Sequence, residues 1–264
     1  MQWCDPSDDS PAVISPDKEI AGFLHKRGPI PGFGVAERFL MIETKGALTG
    51  LRDRYPVREE TFPLPAFLGK RPLHGIPGDP EITIVELVVG APVAVDVLEI
   101  AIAMGCRKLF VFGLCGAVGE DVQIGDLVIP TRVFREEGTS YHYLPADIEV
   151  VPDAALLNDL CAFVQHRAQL PFHRGVTVST DAVFRQTLNK ELAWRQASVL
   201  GVDMEMSALL AVAQYHRIPA VGLLIVSDKH VLDPSAAWHW GGEELKKNKA
   251  VAIDMFVEFI RGRK

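Results

Sequence analysis

Residues 199–230, VLGVDMEMSALLAVAQYHRIPAVGLLIVSDKH, decide how the chain is read. A Met-Glu pair stands at the mouth of a helix spanning 205–216, and an apolar strand over 219–226 runs into Ser227 and Asp228. Two carboxylates, Glu205 and Asp228, are thereby delivered to the ends of adjacent elements, which is where ligands gather in an open α/β sheet. The helix dipole alone favours acids in a first turn, so Asp203 and Glu205 also have a purely structural reading. Asp228 is harder to explain that way, because a charge at the end of a buried strand needs a partner or a chemical role.

Outward from this stretch, strands and helices alternate. The patterns predict strand 82–89, helix 92–104, strands 108–113 and 126–134, helix 153–168, strand 174–179, helix 188–198 and a last helix from about 242 to 262. Such alternation predicts a mostly parallel sheet covered by helices. The first 80 residues are broken by RGPIPGFG, PLPAF and HGIPGDP, all loop punctuation, with one capped helix from Ser15-Pro16-Asp17 to about His25. No repeat or low-complexity tract divides the chain, and 264 residues with 48% hydrophobic and 23% charged side chains suit one domain over 1–264.

Composition narrows the function. A net charge of −7 with no basic run lacks the electrostatic footprint of a nucleic-acid binder, so a small-molecule partner is expected. Cys4, Cys106, Cys115 and Cys161 stand far apart with no CxxC pair, which argues against a zinc site and a secreted disulfide framework. The eight histidines form no ligand-spaced cluster, so neither metal nor organic cofactor is expected. The opening MQWCDPSDDSP has no basic region leading into an apolar core, and the apolar stretch 82–105 carries Glu86, Asp96 and Glu99 and is broken at Gly90 and Pro92. A cytoplasmic protein with no membrane span is expected.

Three further segments offer ligand contacts. KLFVFGLCGAVG places Gly113, Gly116 and Gly119 after a buried strand, either for close approach of a ligand to the backbone or for a tight turn; the spacing is neither a dinucleotide fingerprint nor a P-loop. The loop 137–145 gathers Ser140, Tyr141 and His142, a source of donors and an aromatic face or an ordinary surface loop. STDAVFRQT, residues 179–187, holds Phe184 to stack on a base and Arg185 and Gln186 to bond its edge, or else a core phenylalanine and a surface ion-pair partner. A carboxylate such as Glu205 can also accept both hydroxyls of a ribose.

Taken together, GLCGAVG with GDLVIP following, EGTSYHYLP, STDAVFRQT, GVDMEMSALL and LLIVSDKH resemble the nucleoside phosphorylase superfamily of purine nucleoside phosphorylases, uridine phosphorylases and methylthioadenosine nucleosidases. The resemblance covers roughly 82–262, with 1–80 divergent. It implies a three-layer α/β/α sandwich around a mixed, partly barrel-like sheet, and a homo-oligomer in which a neighbour completes each site. It further implies that Glu205 binds the ribose hydroxyls above Met204, that Asp228 beside Ser227 protonates a purine-type base, and that Gly116, Ser140, His142, Phe184 and Arg185 contact the substrate. Asp228 can act as that acid only if burial raises its pKa towards neutrality; Lys229 or His230 could assist it.

The pattern departs at the phosphate contacts. Where phosphorolytic relatives carry an arginine and a Ser or Thr around the first glycine of GLCGAVG, this chain has Val111 and Leu114, and no Gly-Asp-Pro-x-x-Arg loop occurs. Arg27, Arg52, Arg54 and Arg185 are stand-ins that no spacing selects among, so no residue is assigned to phosphate. Three readings stay open: phosphorolysis with inorganic phosphate as co-substrate, giving free base and ribose 1-phosphate; hydrolysis by a nucleosidase; and a non-catalytic nucleoside binder. Retention of both acids argues against the last.

Overall fold

The computed structural model describes residues 5–8, 10–78, 80–86, 88–167, 169–233, 235 and 237–262. Cys4 and the first residues of the acidic N-terminal stretch lie outside them, as do Leu87 and Ala168 within the strand and helix expected there. Nine strands form one sheet: β1 (Arg38–Ile42), β2 (Arg58–Glu59), β3 (Leu73–Ile76), β4 (Ile82–Glu86), β5 (Lys108–Ala117), β6 (Leu127–Glu136), β7 (Phe172–Thr180), β8 (Val199–Asp203) and β9 (Ala220–Lys229). Their order is β2-β3-β4-β1-β5-β8-β7-β6-β9, and β9 pairs back onto β5. Strands β5 to β9 thus close a five-stranded barrel, and the other four extend from it as an open wing.

The strands that carry the site, β1, β5 and β9, are mutually parallel neighbours and bring their carboxyl ends to one side. Alternation along them builds two cores. Phe39, Met41, Leu109 and Val111 face one apolar cluster with helices α3 (Ala91–Ala103) and α6 (Met206–His216). Leu40, Ile42, Phe110 and Phe112 face another with α2 (Ala47–Arg52), α4 (Ala154–Arg167) and α7 (Glu243–Ile260). This is the expected three-layer sandwich with a partly barrel-like mixed sheet. Each fully buried aromatic such as Phe39, Phe112 or Phe256 contributes about 1.5–3 kcal/mol of burial. Helix α1 (Pro16–Arg27) begins as the sequence predicts, with Ser15 Oγ accepting from the Lys18 amide. Helix α5 (Leu188–Gln196) lies against β8 and sends Trp194 into a small third cluster.

Helix α6 is apolar on nearly every side because it lies inside the molecule, as an all-round hydrophobic helix must. It stops at Arg217, which adopts the left-handed conformation (φ 56°) two residues before Pro219.

Two expectations needed correction. The strand expected over 108–113 continues to Ala117, so Gly113 and Gly116 lie within β5 and not in a turn beyond it. The illegible N-terminal third contributes a central strand: β1 sits between β4 and β5, fully buried from Phe39 to Ile42. Among the described residues Cys106, Cys115 and Cys161 are free and buried, and no helix is long and apolar enough to cross a membrane.

Candidate active site

A cavity of about 700 Å³ opens where β1, β5, β8 and β9 end. Its floor carries five buried acids, Glu43, Glu191, Asp203, Glu205 and Asp228, and its mouth is apolar, with Phe184, Trp238 and Trp240 exposed around it.

Asp203, at the end of β8, starts helix α6. Its Oδ1 accepts the amides of Glu205 and Met206, both at 2.8 Å, and the Ser179 hydroxyl at 2.7 Å. The capping role therefore belongs to Asp203. Glu205 turns away from the helix: its carboxylate accepts the amides of Gly90 and, at 3.3 Å, Met204, and it lines the cavity with Met204. Behind it, Ser207 links Ser179 to Glu137, whose other oxygen accepts the Ser140 amide.

Glu43 follows the apolar run of β1 and faces the same space. A Cβ at Gly113 would overlap its carboxyl, so the glycine is what lets this side chain lie across β5. Burial first, and then the charges of Glu205 and Asp203, push the Glu43 pKa well up. Burial and Asp203 likewise raise Glu205, to about 8. Two ionised carboxylates facing one buried space repel, which favours the protonated forms of both. A raised folded-state pKa stabilises below the unfolded value of about 4.3, and that stability is lost as pH climbs towards the folded value. Glu43→Gln removes the loss, so its melting temperature should exceed that of the wild type by several degrees more at about pH 8 than at about pH 5. Thermal unfolding at the two pH values checks this, and a pH-independent difference would mean that Glu43 ionises like a surface acid.

Asp228 ends β9. The β5–β9 register passes from Cys115↔Val226 to Gly116↔Asp228, and this bulge at Ser227 allows consecutive side chains both to reach the cavity. The Ser227 hydroxyl donates to Oδ1 at 2.6 Å, and Trp238 Nε1 donates to Oδ2 at 2.8 Å. His230 Nε2 stands 3.3 Å from Oδ2, and His230 Nδ1 lies 2.7 Å from Glu191 Oε1. Burial pushes Asp228 upward, but the hydrogen bonds from His230, Ser227 and Trp238 outweigh it and hold the carboxyl below its ordinary value. Burial disfavours the charged His230, yet Asp228 and Glu191 raise it to about 9. The condition set for Asp228 as the acid, a pKa raised by burial, is therefore not met: its own pKa is held down, and the raised one is that of His230.

Of the residues expected to touch a ligand, Gly116, Met204, Glu205, Phe184, Ser227 and Asp228 line the cavity. Ser140 does not: it is buried, with its hydroxyl accepting from Arg135 Nε at 2.9 Å. His142 and Arg185 are exposed and outside the lining. The proposed stand-ins for phosphate fare no better, since Arg54 pairs with Asp254 and Arg27 lies over the Phe23 ring, and neither they nor Arg52 line the cavity. Sequence reasoning missed Glu43, Glu191 and Trp238. FLMIE, an apolar run ending on an acid, is the same signal as LLIVSD, and it was present for Glu43.

The sequence profile of the Phosphorylase superfamily matches residues 42–260, and the chain belongs to that superfamily. A guanosine phosphorylase of Halorubrum lacusprofundi is 30% identical over 134 residues, covering 51% of this chain and 55% of that protein. The chain thus spans about half the length of the curated relatives it matches first. Among solved structures, a uridine phosphorylase of Vibrio fischeri superposes with a TM-score of 0.74 at 18% identity, covering 87% of this chain and 93% of the other. A purine nucleoside phosphorylase of Toxoplasma gondii, in complex with immucillin-H, gives 0.74 at 15% identity, covering 87% and 92%.

Proposed function

We propose that the chain cleaves the N-glycosidic bond of a nucleoside, releasing the free base and transferring the ribose to inorganic phosphate. One observation carries the reading: a hydroxyl-accepting carboxylate, Glu205, and a hydrogen-bonded acid pair, Asp228 and His230, line one cavity whose mouth is aromatic. Cleavage builds positive charge on the ribose and negative charge on the base. Glu205 fixes the sugar, and the Asp228 end supplies the base with a proton. The names of the relatives, phosphorylases of guanosine, purine nucleosides and uridine, support phosphate as co-substrate. A donor facing the base favours a purine-type leaving group. We read residues 1–264 as one domain, supported by the single sheet, working without a metal or organic cofactor in the cytoplasm as a homo-oligomer.

A second reading, hydrolysis by water, is favoured by Glu43. Among the described residues lining the cavity the cations are Lys229 and His230. Lys229 Nζ donates to the Glu120 carbonyl at 2.6 Å, and His230 is held by Glu191 and Asp228. A phosphate normally rests on charge-assisted bonds from arginine or lysine, and here a carboxyl flanks Glu205 instead. Phosphorolysis would draw its cations from a second copy at the apolar mouth, whereas hydrolysis needs no anion site and would use Glu43 as base in its ionised form. Base release from purine and pyrimidine nucleosides, with and without phosphate, separates the two. Ribose 1-phosphate formed only with phosphate is the expected result; free ribose at a phosphate-independent rate would transfer the assignment to hydrolysis.

A further inference from the structure

Glu191 has no part in gripping sugar or base, yet its carboxyl is buried on the first turn of α5. Oε1 bonds His230 Nδ1, and Oε2 is buried with no hydrogen-bond partner among the described residues. A carboxylate in such a place costs several kcal/mol unless a charge answers it. The imidazole is the answering group, and β5 is cut away to receive it: a Cβ at Gly116 would overlap His230 Nε2. The glycine that the sequence offered as a point of ligand approach is thus also the seat of a histidine.

We infer that His230, clamped between Glu191 and Asp228, stores the proton that Asp228 passes to the departing base, and that Glu191 is the positioning residue that keeps the imidazole charged and aimed. This rests on the cleavage reaction proposed above. As the glycosidic bond breaks, its electron pair goes to the base. His230 Nε2 gives its proton to the ionised Asp228, and Asp228 passes that same proton to the base and is left ionised as before. His230 is left neutral, with Nδ1–H still on Glu191, and solvent restores the lost proton. The other charged groups around His230 are already engaged. Arg195, from α5, donates to the His230 carbonyl at 3.1 Å and pairs with Glu120 at 3.4 Å, and Lys229 on the same strand bonds the Glu120 carbonyl. Trp238, from the following loop, is neutral and donates to the same Asp228 oxygen. The raised pKa of His230, about 9, agrees with a proton kept in place through neutral pH.

The test compares wild type, Glu191→Gln and His230→Asn on inosine, guanosine, adenosine and uridine, and on 4-nitrophenyl β-D-ribofuranoside, whose leaving group departs as an anion and needs no proton. In Glu191→Gln the basic limb of the kcat profile should move from about 9 towards the ordinary histidine range with KM unchanged. His230→Asn should lose about 10²-fold in kcat on the nucleoside, the lower end of general-acid effects. Both variants should cleave the nitrophenyl riboside near the wild-type rate. Histidine NMR should show one imidazole titrating near 9 in the wild type and none there in either variant. Equal losses on both kinds of substrate, an unmoved basic limb, or no high-titrating imidazole would overturn the inference and leave Glu191 and His230 as a brace between α5 and β9. Failure of the wild type to release base from any of these substrates would instead sink the cleavage reaction itself, and this inference with it.

Discussion

Asp228→Asn is expected to lower turnover on nucleosides by about 10²- to 10⁴-fold, the range supplied by a positioned general acid, with little change in substrate affinity. Asparagine preserves the shape and keeps one oxygen, which can accept from Trp238 or from Ser227 but not from both, and it can neither take a proton from His230 nor hand one to a base. The loss should therefore fall on kcat and leave KM nearly alone, the signature of an interaction made only in the transition state. A second consequence separates this from simple damage. Asp228 is one of two carboxylates that raise His230, so in the variant the imidazole should titrate lower while far-UV circular dichroism stays unchanged. An unchanged turnover on every nucleoside that the wild type cleaves would remove Asp228 from the chemistry.

The legible part of the molecule was legible for physical reasons. From residue 81 onward the strands are buried and followed by amphipathic or buried helices, so period and punctuation agree, and the predicted elements recur with shifts of a few residues at their ends. Strand β8 escaped because VLGVD is five residues long and merges with the Met-Glu start of α6. Strand β1 escaped because RFLMI lies among proline-rich loops, and its pairing with β4 and β5 bridges tens of residues that no local pattern records. The site divides the same way. Glu205 and Asp228, which both line the cavity, stood out in the sequence because a charge beside a buried apolar run is anomalous. Ser140 was misassigned because a serine in a polar loop carries no mark of burial, and here it turns inward to Glu137 and Arg135. Glu191 could not be found from sequence, since an acid in a first helical turn is ordinary and only the imidazole opposite gives it meaning. The ionisation of Asp228 was left conditional for a related reason: burial was foreseeable, but three donors converging from Ser227, His230 and Trp238 were not.

Glu205→Gln is the change expected to hurt binding and turnover together. The wild-type carboxylate uses one lone pair on the Gly90 amide and another on that of Met204, leaving both oxygens able to accept a ribose hydroxyl. Glutamine keeps one such oxygen and sets an NH₂ against an amide donor, so a hydroxyl contact and a backbone contact are lost together. Hydrogen bonds to a charged group contribute about 1.5–3 kcal/mol each, and each 1.4 kcal/mol is about tenfold, so kcat/KM should fall by about 10- to 140-fold for each bond lost. The clean readout is the sugar: the wild type should prefer ribonucleosides to their 2′-deoxy counterparts, and the variant should lose most of that preference. The pH dependence of the wild type provides an independent check. Burial and Asp203 hold Glu205 protonated up to about pH 8, and only the ionised form accepts both hydroxyls, so KM should fall as pH rises towards 8 and level off above it. In the variant that dependence should vanish. A variant that keeps both the ribose preference and the falling KM would show that the sugar is held elsewhere in the cavity.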